Sequence, residues 1–255
     1  MESGTECGLS FEVRLPSGEE VAQLCLQPND TVSSIFPHLP VADSSPVAET
    51  LLLGDCLLDP RARICDTGLT HGAVVTLVLS PLLWSLDHKG SQAEIGADCR
   101  TAWRVDGESQ QFAIVVSRAP MRTFRLRIVR TCDCRFGGLE VGFTATAPES
   151  LPTELPSNLD KLPESWVSNS VGSLIANHKW ILGKSWDESA APELLEVDDV
   201  ITCVAGGGGQ LCIIKNDRTV ATWDADMPEG VALYPIANIV GRVKCIELLF
   251  GNARE

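Results

Sequence analysis

The sequence predicts a mainly β protein in two parts: a small sheet-and-helix domain over residues 8–80, then an antiparallel β-sandwich over residues 84–250. Three observations carry this reading. Apolar and polar side chains alternate in short runs bounded by Gly, Pro, Asn or Asp, which is the two-residue period of strands separated by turns. After Gly107 no stretch has the period of a long amphipathic helix. Pro81 to Leu83 joins the parts without a Gly/Ser-rich tether, so two domains held at a limited set of angles are expected.

The first elements follow in order. Leu9 to Leu15 alternates and ends at the turn Pro16-Ser17-Gly18; Val21, Leu24 and Leu26 continue as the second arm of a hairpin. Asn29-Asp30-Thr31 offers an N-cap for a helix with Val32, Ile35 and Phe36 on one face, which Pro37 and Pro40 cut short. Leu51-Leu52-Leu53 with Gly54-Asp55 reads as strand and turn, Leu57-Leu58 as a short strand, and Val74 to Leu79 as the last strand. The Val41 to Ala48 stretch is a long loop.

In the second part, residues 139–174 organise the chain. Leu139, Val141 and Phe143 alternate with Glu140, Gly142 and Thr144, giving a strand with one apolar face. Pro148, Pro152, Pro156 and Pro163 then exclude a helix or a central strand. Leu151, Leu155, Leu159 and Leu162 recur through this segment, which disordered linkers do not show, so it is an ordered loop pinned by its leucines. The chain returns to a strand near Trp166. Further strands are expected at Ala113 to Ser117, Phe124 to Ile128, 172–177, Val197 to Val204, Leu211 to Lys215, Val231 to Tyr234 and Val243 to Leu248, the last two around a connection from Pro235 to Arg242. Gly206 to Gly209 forms a hairpin tip, not a phosphate cradle, because no helix N-terminus or Lys-Ser/Thr pair follows it.

Composition narrows the function. With 44% hydrophobic and 21% charged residues and a mean hydropathy of +0.09, the 255-residue chain is globular. A net charge of −14 repels phosphate backbones and anionic headgroups, so nucleic acid is not an expected partner. The arginines at 118, 122, 125, 127 and 130 read as the solvated face of a strand. No apolar run is long enough for an integral membrane segment and no signal peptide is evident, so an intracellular, cytoplasmic protein with reduced cysteines is expected. Cys132 and Cys134 would share one face of a strand, but no second pair or neighbouring His completes a metal site. His38, His71, His88 and His178 fall in separate segments and no catalytic motif appears, so neither an enzyme nor a cofactor is expected.

Two resemblances add to this. Residues 9–79, with LLLGDCLL, the loop Asp66-Thr67-Gly68-Leu69 and the strand Val75 to Leu79, resemble a ubiquitin-like domain, which implies a β-grasp fold. The chain continues through Ser80-Pro81 with no diglycine end, so the resemblance implies a built-in, uncleaved module. From Trp84 to Phe250 the chain resembles the neuralized homology repeat: Trp84, His88 and Gly90 match its opening F-x-x-x-H-x-G except for the aromatic, Ala102-Trp103-Arg104 its A-x-R, and LEVGFT, SLPTELP and WV its core. Asp199 and Thr202-Cys203 replace glycines of its V-G-D-x-V-G-V strand.

A neuralized- or SPRY-like antiparallel β-sandwich that binds proteins without catalysis is implied. The resemblance points to a substrate or partner adaptor in the ubiquitin system, with a protein or peptide client and ubiquitin-pathway proteins as partners. A scaffold unrelated to ubiquitination is the open alternative, because fold alone does not decide function. The expected partner-binding residues are Leu51 and Val78 on the first domain, with Leu151, Leu155, Trp180 and Trp186 on the second. Trp180 and Trp186 flank Gly183-Lys184 and are expected to be exposed anchors, so that Trp186→Ala weakens binding without unfolding the domain.

Overall fold

The computed structural model describes residues 8–39, 47–59, 62–105, 113–134, 137–156, 158–181 and 185–249. Most of the expected Val41 to Ala48 loop, the Gly183-Lys184 loop and Cys7 lie outside the described residues. The chain divides into two compact units, the first running to Pro81 and the second starting at Leu82.

The first unit is a five-stranded sheet of β1 (Leu9–Arg14), β2 (Glu20–Leu26), β3 (Val47–Leu53), β4 (Cys56–Leu57) and β5 (Val74–Pro81), in the order β2-β1-β5-β3-β4. β1 and β5 run parallel, and the remaining pairs are antiparallel. Phe11, Val13, Leu51, Val75 and Leu77 point from the sheet into a core closed by Val32, Ile35 and Ile64. Val32 and Ile35 lie on a 3-10 helix spanning Val32–His38. Its tight winding has a cause: Pro37 removes an amide donor, and Leu39 N–H closes the end on Phe36 O. The expected side-chain cap is not made; Asp30 accepts instead from Gln27 N–H, at 2.8 Å.

The second unit pairs two seven-stranded antiparallel sheets. One has the order β17-β16-β15-β10-β19-β8-β7, from β7 (Ala93–Ile95), β8 (Thr101–Arg104), β10 (Thr123–Thr131), β15 (Val200–Ala205), β16 (Gln210–Lys215), β17 (Arg218–Asp224) and β19 (Val243–Leu248). The other has the order β14-β13-β12-β11-β18-β9-β6, from β6 (Trp84–Lys89), β9 (Ala113–Ser117), β11 (Leu139–Thr144), β12 (Ser165–Ser168), β13 (Leu174–Ala176), β14 (Lys179–Ile181) and β18 (Tyr234–Ile239). Phe124 of β10 meets Phe143 of β11 edge to face, with centroids 5.3 Å apart, at the seam between the sheets.

Three local expectations are corrected. The strand placed at Val231 to Tyr234 instead spans Tyr234–Ile239, and Pro235 lies within it. β9 pairs with β18 only from Ile236 onward, so at Pro235 the strand has a neighbour on one side only and the absent N–H leaves no gap in the ladder. β11 is buried on both faces, not one. Cys132 and Cys134 lie beyond the end of β10 in a turn closed by Cys134 N–H to Cys132 O, so they do not share a strand face.

Candidate functional site

The leucine loop is the element that turns the sandwich into a three-layered structure. Leu151, Leu155, Leu159 and Leu162 pack with Ile114, Val116, Val167 and Ile236 on the outer face of the β11-containing sheet. Polar anchors fix the loop's return: Ser165 Oγ donates to Leu162 O at 2.8 Å and Thr144 Oγ1 to Pro163 O at 3.1 Å. The prolines leave few free backbone angles between these leucines. Leu151 and Leu155, expected to bind a partner, are therefore buried in the hold of the loop on the sheet.

Cross-strand register carries this face to the sheet's end. Val116, Ile236, Gly142, Val167, Ile175 and Trp180 are successive partners on β9, β18, β11, β12, β13 and β14. Gly142 is demanded by this row, because a Cβ there would lie 2.0 Å from Trp166 O. At the far end, the β13–β14 hairpin turns through Asn177 and His178, both at positive φ. β14 is the last strand of the sheet, and Trp180 is 55% exposed there, with Ile181 beside it on the opposite face also accessible.

The other tryptophan behaves oppositely. Trp186 is 3% exposed, and its Nε1–H donates to Ser168 Oγ at 2.6 Å. Its ring lies on Gly172, whose φ of +79° and missing Cβ make room for it. Backbone bonds from Trp186 N–H to Gly172 O and from Asp187 N–H to Val220 O then tie the two sheets together at one edge. Trp186 is a core residue of the sandwich, and of these two tryptophans only Trp180 is exposed.

On the first unit, Leu51 and Val78 are placed on opposite sides of the sheet. Leu51 pairs with Leu77 and is 1% exposed within the core. Val78 pairs with Thr50 and shares the outer face with Thr76, Leu52 and Val74. In a run of three leucines a shift of one residue exchanges the faces, so Leu52 stands where Leu51 was expected.

The strand that departs from the family glycines is held by Asp199. Its carboxylate accepts from Glu196 N–H at 2.8 Å and Asn216 Nδ2 at 2.7 Å, and pairs with Lys215 Nζ at 2.9 Å. Burial alone would raise this carboxyl, but the Glu196 amide, Lys215 and Asn216 outweigh it and hold the group below the usual carboxylate range. A folded-state value below the unfolded one adds stability at neutral pH that disappears as pH falls through the folded value. Asp199→Asn is therefore expected to destabilise the protein by about 1–2 kcal/mol at neutral pH. In thermal melts the gap between variant and parent should narrow between about pH 5 and about pH 2.

Among the described residues there is no cluster of three or more His, Cys, Asp and Glu suited to a metal ion. The described cysteines form no disulfide, and burial pushes Cys203 well up and Cys245 up, away from the reactive thiolate. Among the described residues no helix is long and apolar enough to cross a membrane. The arginine stripe of β10 is partly neutralised, since Arg127 pairs with Glu247, which also holds Arg100 at 3.2 Å. A buried polar contact escaped sequence reasoning: Asn238 Nδ2 on β18 donates to Glu140 on β11 at 2.7 Å. Its only signal was a carboxylate in LEVGF with a strand-paired asparagine 98 residues on.

Comparison with known proteins bears on the second unit. The sequence profile named Neuralized matches residues 86–250. Among solved structures, the Drosophila melanogaster neuralized-nhr1 domain is similar at 21% identity with a TM-score of 0.53, covering 66% of this chain and 98% of that one. The solution structure of the NEUZ (NHR) domain in Neuralized from Drosophila melanogaster is similar at 21% identity with a TM-score of 0.52, covering 67% and 92%. These two likenesses concern the fold. No curated protein matches the sequence.

Proposed function

Because the chain belongs to the Neuralized family of protein-interaction domains, we propose that it is a non-catalytic recognition protein that holds a client peptide against the Trp180 hairpin. The observation that carries this is the exposure of one indole. Of six tryptophans, Trp84, Trp166, Trp186 and Trp223 are buried and Trp103 is half-buried with its Nε1–H donating to Glu94, whereas Trp180 alone is open. A large aromatic held out on a stiff two-residue hairpin gives contact area at little cost in ordering, which is how binding anchors work. The leucine loop packs on the same face of the supporting sheet.

Selection of a random peptide library on the immobilised chain supplies the test. Trp180→Ala is expected to weaken the selected peptides by about tenfold or more, the order of losing one aromatic anchor. Its melting temperature should stay within about 2 °C of the parent, because the ring has little burial to lose. Unchanged affinity in this variant would remove the site.

The first unit is read as a built-in ubiquitin-like domain that couples client recognition to the ubiquitin system. Its mixed five-strand order, with β1 and β5 parallel, and the helix between β2 and β3 support that reading. Titrating the full chain with ubiquitin-receptor domains should shift the amides of Leu52, Val74 and Val78. Absence of those shifts, with client binding intact, would favour the scaffold unrelated to ubiquitination.

A further inference from the structure

We propose that Glu188–Asp199 forms a second docking surface, distinct from the Trp180 hairpin, that takes a basic segment of a partner protein anchored by apolar side chains. Leu194 and Val197 are 49% and 50% exposed, although neighbouring positions of the same segment are deep in the protein. Ala190, Pro192 and Leu195 are buried, and Pro192 sits so close to Gly138 that a Cβ there would fall 1.9 Å from its carbonyl. Arg242 Nε donates to Leu195 O at 2.9 Å, while Asp198 N–H and Ile128 N–H exchange bonds with Ile128 O and Asp199 O. The two apolar side chains are thus held out on a fixed backbone, not on a loop that can fold them in.

Charge chooses the occupant. Glu188, Glu193, Glu196 and Asp198 lie in the same segment as this pair and form no ion pair among the described residues. Among the described residues, Lys215 is engaged by Asp199, Arg218 by Asp187 and Arg242 by the Leu195 carbonyl. One Glu193 carboxylate oxygen is buried without a hydrogen-bond partner among the described residues. Carboxylates next in sequence to two exposed aliphatic side chains match a partner with Arg or Lys beside a Leu, Val or Ile anchor. They repel nucleic acid and anionic lipid, which would also leave the aliphatic pair in water.

The test uses the full chain and two fluorescein-labelled dodecapeptides, each with four arginines, one with a central Leu-Val and one with Ser-Ser. The Leu-Val peptide is expected to bind about tenfold tighter, the scale of burying one or two aliphatic side chains. Its amide shifts on the unmodified chain should centre on residues 188–199. Leu194→Ser with Val197→Ser should abolish the preference, and Glu196→Gln with Asp198→Asn should weaken binding several-fold and flatten its salt dependence. Trp180→Ala should change none of this, which separates the outcome from that of the client-peptide reading. Equal binding of both peptides, shifts elsewhere, or an equal loss on neutralising the remote Glu19 and Glu20 would overturn the proposal, since a general pull toward an acidic chain would then explain it.

Discussion

Trp186→Ala should lower the melting temperature of the larger unit by about 10 °C or more while leaving the affinity of any Trp180-directed peptide unchanged in the folded fraction. Truncating a fully packed tryptophan removes its apolar burial and leaves a cavity, together about 3–5 kcal/mol. For a unit of this size each kcal/mol moves the transition by about 2–4 °C. Ser168 Oγ would lose its indole donor in a buried setting, and Gly172 would be left at positive φ with nothing packed on it. Trp186→Phe separates the contributions: it keeps much of the packing and removes the donor, so it should recover more than half of the loss. Thermal melts followed by circular dichroism, with peptide titrations below the transition, measure both. Reduced affinity at unchanged stability would instead return Trp186 to the binding surface.

Leu159→Ala carries the next largest effect. Its side chain is fully buried between the loop and the sheet, so the expected cost is about 2–5 kcal/mol. The loss should be felt locally as well as globally, because among the described residues of Pro148 to Lys161 the loop has short 3-10 turns and one isolated bridge from Glu154 to Lys89 in place of a strand ladder. Protease cleavage near the exposed Pro152 to Glu154 tip should therefore accelerate well beyond what the melting temperature predicts. Glu149→Ala, on the exposed side of the same loop, should change neither quantity measurably. Matching cleavage rates for Leu159→Ala and the parent would show that the leucines do not hold the loop.

Much of this architecture can be read from local pattern, and the failures share one cause. The leucine loop was legible because its apolar residues recur where proline forbids regular structure, leaving packing as the only use for them. The turn at Gly206–Gly209 was legible because backbone conformation there is set by the turn residues themselves: Gly208 and Gly209 adopt positive φ. Burial set by distant chain was not legible. Whether Trp180 or Trp186 is exposed depends on Gly172, Ser168 and Val220, none of them neighbours in sequence. Leu51 and Leu52 differ by one step of register, which the alternation of Leu-Leu-Leu cannot show. β11 looked like a strand with one wet face because its second cover comes from a loop with no periodicity of its own. Pro235 hid a strand because the rule against proline in sheets is applied without knowing where the neighbouring strand begins.

Covering β11 on both sides has a consequence for how the molecule breathes. Its amides lie between β12 and β18, beneath the leucine layer on one side and the opposing sheet on the other. No fraying of an end or lifting of one layer admits solvent to them. Deuterium should therefore enter at Val141 only when the whole unit opens, and its uptake there would serve as a native-state gauge of the unit's global free energy.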